Sequence, residues 1–120
     1  MKTLIKFICT VAVLFAAQSS FACDYPNRVM IPNGGTATKD EMLEGQRGVK
    51  EYVAAMEGYL ECIVEEEKTA RAAMEDLQPE QEQQREEALN KKYNAAVDEM
   101  ERVAAQFNAE VQAFRAKDQG

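Results

Sequence analysis

An apolar residue returns every seven positions from Met42 through Val49, Met56, Ile63 and Ala70 to Leu77, and a second apolar series runs from Leu89 to Phe114. Between them stands Pro79, the only proline beyond residue 32. A repeat near 3.5 residues describes an α-helix whose apolar stripe has to be covered by another helix. The first stripe is wide: Tyr52, Tyr59 and Ala73 form a companion row, and Val53, Leu60 and Met74 form another beside it. Its middle is therefore expected to meet more than one packing surface. The second stripe is Leu89, Tyr93, Ala96, Met100, Val103, Phe107, Val111 and Phe114, at spacings of three and four.

These patterns predict an all-α fold, an antiparallel two-helix hairpin of coiled-coil type with an extended N-terminal arm. The expected helices cover about 39–77 and 80–117. Thr38 and Glu41 are placed as N-cap and N3 of a capping box. Pro79 suits the first position of the second helix, with Glu80, Glu82, Glu86 and Glu87 near its positive dipole end and Arg115 and Lys117 near its negative end. A single rod kinked at Pro79 is the competing arrangement. It would leave both stripes facing water, so the hairpin is preferred. A dimeric four-helix bundle offers a further way to cover them.

The N-terminus reads differently. Lys2 and Lys6 precede an apolar run, Phe7–Ala17, and Ser20-Phe21-Ala22 supplies small residues for cleavage before Cys23. The run is too short for a bilayer span, which takes about 20 residues. Residues 1–22 are thus expected to be a removable signal, 23–37 the arm and 38–120 the hairpin. This places the mature protein in the periplasm or outside the cell, with no membrane span after cleavage. Lipidation of Cys23 is the alternative, although Ser20 stands where a lipobox prefers Leu.

Cys9 leaves with the signal, so Cys23 and Cys62 remain, an even pair in an exported chain. One disulfide between them would close a loop of about 40 residues and stabilise the fold by roughly 4 kcal/mol. An intermolecular bridge is the other arrangement the count allows. The pair lacks Cys-x-x-Cys spacing, and Glu61, Glu65 and Glu66 would raise rather than lower a thiol pKa. The arm itself holds Pro26, Pro32 and the turn sequence Pro32-Asn33-Gly34-Gly35. Its Val29, Met30 and Ile31 are expected to be buried against a helix.

Composition then removes function classes. The chain has 14 Lys+Arg against 21 Asp+Glu and a net charge of −7, which disfavours nucleic acid and anionic lipid surfaces. It has no His, so His-based triads, His-ligated metals and c-type haem attachment are excluded. Its only serines precede Cys23, and Thr36, Thr38 and Thr69 have no His to act as base. Glu65-Glu66-Glu67 points in three directions on a helix and reads as a solvated face. No catalytic residue, metal or cofactor is expected. Met42, Met56, Met74 and Met100 read as core filling, with an adaptable apolar groove as the alternative. The residues singled out for interaction are the stripe Val49, Tyr52, Met56, Tyr59, Ile63, Met100, Phe107 and Phe114.

The elements Cys23-x-x-Pro26, Ile31-Pro32-Asn33-Gly34, Glu41-Met42, Val49-Lys50-x-Tyr52 and Tyr59-Leu60-x-Cys62 resemble a family of small exported proteins of the Gram-negative envelope. That resemblance implies a paired Cys23 and Cys62 and brings no activity. Leu77-Gln78-Pro79-Glu80-Gln81 is similar to the Leu-Thr-x-x-Gln motif of the periplasmic CpxP/Spy chaperone family, with Gln78 in place of the Thr. The expected function is non-enzymatic: an envelope protein that binds a protein partner, self-associates or braces other proteins. The alternative is a periplasmic chaperone holding unfolded clients.

Overall fold

A computed structural model describes residues 23–119. The expected signal, its cleavage point and Cys9 lie outside the described residues. The chain forms two helices, α1 (Lys39–Ala72) and α2 (Pro79–Asp118), and no strand among the described residues. They are antiparallel. The Phe107 ring lies over Gly45 near one end, and Glu67 pairs with Arg85 near the other. An all-α hairpin with an extended arm is the architecture observed.

Helix α1 begins where its capping box is placed. The Thr38 side chain accepts from the Glu41 amide at 3.2 Å, and the Thr38 amide donates to Glu41 Oε2 at 2.7 Å. One side of the helix faces inward through Met42, Gly45, Val49, Tyr52, Met56, Leu60 and Ile63, a run of three- and four-residue steps that keeps one face toward α2. Met56 is fully buried. From α2, Ala96, Val103 and Phe107 are buried, with Leu89, Met100, Val111 and Phe114 packed partly against the same core.

The helix boundaries differ from expectation. Helix α1 ends at Ala72, about a turn before Leu77, and α2 starts at Pro79 and continues to Asp118. Pro79 holds Gln78 in an extended conformation, ψ 148°, and Asp76 turns the chain with φ 55°, a left-handed conformation that Asp tolerates better than most residues. Reversing direction between antiparallel helices takes these six residues, so Met74 and Leu77 leave the helical register. The Gln78 amide donates to Gln81 Oε1 at 3.1 Å, which gives the Leu77–Gln81 segment a local role as a helix start.

The arm returns along α1 from Cys23 to Ala37. The pairing of Cys23 with Cys62 is intramolecular, their Cα atoms 5.7 Å apart. Tyr25 meets Tyr59 edge to face, ring centroids 5.0 Å apart, an arrangement that aromatic quadrupoles favour. Further along, glycines on α1 admit the arm closely. A Cβ on Gly45 would stand 2.6 Å from the Pro32 ring, and one on Gly48 would stand 3.2 Å from Val29 Cγ2. A mid-helix glycine costs about 1 kcal/mol relative to alanine, and here it permits the contact. The expectation that Val29, Met30 and Ile31 are all buried is corrected: Val29 and Ile31 lean on the core, whereas Met30 is 90% exposed. Successive side chains of an extended segment point to opposite faces, so the middle one faces water.

At its far end the arm turns through Asn33–Thr36 and docks on α2. The Asn33 carbonyl accepts from the Thr36 and Ala37 amides. The Gly34 amide donates to Glu110 Oε2 at 2.7 Å, and Lys117 Nζ donates to the Ala37 carbonyl at 2.5 Å. A Cβ on Gly34 would overlap the Glu110 carbonyl. Gly34→Ala is therefore expected to lower stability by about 1–3 kcal/mol through overpacking against backbone. Urea unfolding checks this, and an unchanged midpoint would contradict the close docking.

Candidate functional site

Cys23 and Cys62, far apart in sequence, are brought together and fasten the arm to the middle of α1. Glu66 Oε2 lies 3.2 Å from the Cys23 sulfur. Cys23, Cys62 and Glu66 are the one group among the described residues with metal-ligand spacing, their donor atoms within 4.8 Å of one another. With the sulfurs joined, neither is a thiolate, and a single carboxylate does not hold an ion.

The eight stripe residues divide by depth. Val49, Tyr52, Met56, Ile63 and Phe107 are buried between the helices, and Tyr59, Met100 and Phe114 are half-buried at its edges. Tyr59 faces Tyr25 of the arm, and Phe114 lies under Lys117, whose Nζ is 4.8 Å from the ring centroid. The extra width of the α1 stripe is taken up by the arm as a third layer. Burial, then the nearby Tyr25 and Glu99, pushes the Tyr52 phenol above its ordinary value, so it stays neutral at physiological pH and serves as packing.

Glu67 departs from the solvated face expected of Glu65-Glu66-Glu67. Glu65 and Glu66 are exposed, but Glu67 turns inward and receives two parallel bonds from Arg85, at 2.8 and 2.9 Å, and one from Arg71 at 3.0 Å. Burial alone would raise its pKa; the hydrogen bonds and charges of Arg71 and Arg85 outweigh it and hold the carboxyl below its ordinary value. The folded state thus binds this proton less readily than the unfolded chain. Its contribution is complete above the ordinary carboxylate range and is lost as pH falls through the lower folded value. Glu67→Gln is expected to cost about 1–2 kcal/mol at pH 7, with the gap from wild type closing in acid. Urea midpoints at neutral and acid pH check this; a gap independent of pH would refute it. Nothing local marks this pair, because Glu67 and Arg85 meet only once the hairpin register is set.

A different surface stays open. On the flank of the helix pair away from the arm, a groove of about 450 Å³ is lined by Leu60, Val64 and Tyr93 and by Glu57, Glu61 and Glu65. Val64 is 40% exposed and Tyr93 39%. Tyr93 was legible as a member of the second stripe. Val64 lies outside the seven-residue row, and the glutamates read only as surface charge. No helix among the described residues is long and apolar enough to cross a membrane. No known family model matches this chain, and no curated protein or solved structure is similar to it.

Proposed function

We propose that this protein is an exported, non-enzymatic element that works by holding another protein against its helical hairpin, in the periplasm or outside the cell. The observation carrying this reading is the groove on the flank away from the arm. There Val64 and Tyr93 stay partly exposed, rimmed by Glu57, Glu61 and Glu65. Apolar side chains gathered in one groove with a polar rim are the kind of surface that receives a partner. The intramolecular disulfide supports an oxidising compartment, as does the export signal read at residues 1–22.

A second reading, a chaperone for unfolded clients, is favoured by the exposure of Met74 beside the hairpin turn together with Val64 and Tyr93. The two separate experimentally. Suppression of aggregation of a reduced model client at near-stoichiometric ratio, with no stable complex formed with folded proteins, supports the chaperone. A stable stoichiometric complex or a defined homo-oligomer, measured by size-exclusion chromatography with light scattering, supports binding or bracing. A strictly monomeric protein that forms no complex and protects no client would remove both.

A further inference from the structure

On α1, residues that meet the arm, Tyr59 and Cys62, and the groove residues Glu57, Glu61 and Val64 fall on opposite flanks of the buried row Met56, Leu60 and Ile63 at about 100° per residue. The open flank therefore stands where the arm stands on the other side, as a vacant position for a third packed segment. Its floor is Leu60 and Val64, one wall is the Tyr93 ring, and the rim is Glu57, Glu61 and Glu65. None of these three carboxylates forms an ion pair among the described residues.

We propose that this groove binds an α-helix of a partner protein, one with an apolar row flanked by Lys or Arg at every fourth position. The inference rests on the protein-binding reading and narrows it to a partner chemistry. Three carboxylates spaced four residues apart rise about 6 Å from one to the next, which a facing helix with the same spacing matches along its length. The Tyr93 ring adds a face that attracts a cationic head, and Leu60 and Val64 receive the apolar row. A second copy of this chain fits poorly. Two-fold pairing across the groove would set Glu57, Glu61 and Glu65 against the same residues of the other copy, in a chain already at net charge −7.

The test uses the full mature protein with its disulfide intact. The probe is a synthetic amphipathic helical peptide of about three heptads with a Leu row and Lys flanks, compared with the same peptide carrying Glu for Lys. Fluorescence anisotropy is expected to show the Lys peptide binding at least about tenfold more tightly than the Glu peptide, with affinity falling as salt is raised. Backbone amide shifts should concentrate around Val64 and Tyr93. The triple variant Glu57→Gln, Glu61→Gln, Glu65→Gln should weaken binding by about tenfold without changing the urea midpoint, because exposed side chains contribute little to folding. Tyr93→Ser provides an independent variant of the same site. Equal binding of the two peptides, shifts on the arm side, or self-association through Tyr93 would each overturn the proposal. A failure of both peptides alongside a stable complex with another protein would remove this partner chemistry and leave the broader reading standing.

Discussion

Replacing both Cys23 and Cys62 with Ser is expected to lower the unfolding free energy by about 4 kcal/mol, the cost of releasing a loop of this size in the unfolded chain. Few single changes remove so large a share of the roughly 5–15 kcal/mol typical of a small domain. The effect should also be local. Among the described residues, no backbone–backbone hydrogen bond ties Cys23–Pro32 to either helix. This stretch is held by the bridge, by the Tyr25–Tyr59 contact, by Val29 and Ile31 packed on the core between the helices and by Pro32 against Gly45. Its other end keeps the Gly34–Glu110 and Lys117–Ala37 bonds. The arm should therefore fray from Cys23 toward Pro32 while the turn stays docked. Urea unfolding with and without reductant measures the first effect. Loss of the near-ultraviolet tyrosine signal, ahead of any loss of helix, measures the second. Equal midpoints for the two forms would show that the arm does not depend on its clasp.

Met56→Ala should cost about 2–5 kcal/mol, whereas Met30→Ala should stay within about 0.5 kcal/mol of wild type. Both residues read as apolar positions needing cover. Met56 has no exposed surface at all, and removing most of its side chain leaves a cavity that two long helices cannot close without shifting register. Met30 projects into water from the arm. The pair of urea midpoints decides the matter: similar losses at the two sites would mean that the arm lies with its other face inward.

The local rules that were legible in the chain operate over a few residues. Thr38 and Glu41 cap a helix because their atoms are three residues apart. Pro79 begins one because its ring removes a donor that position does not need. The boundary at Ala72 was missed for a comparable reason in reverse. The seven-residue pattern continues to Leu77, but the length of chain needed to reverse direction depends on where α2 lies. The candidate site was read less well. The stripe residues chosen for interaction are largely occupied by the hairpin and the arm, and the open groove is built partly from glutamates that carry no apolar signal.

The amino-acid order alone determined two long helices, a break at one proline, a capped start at Thr38 and a cysteine pair suited to bridging, because period, caps and breakers act through neighbours in the chain. Tertiary structure decided which flank the arm covers, that Glu67 answers Arg85, that Gly34 and Ala37 dock on the end of α2, and that Val64 and Tyr93 border an open groove. Each of those depends on the rotation and register of one helix against another. Those are fixed only when side chains distant in sequence compete for the same space.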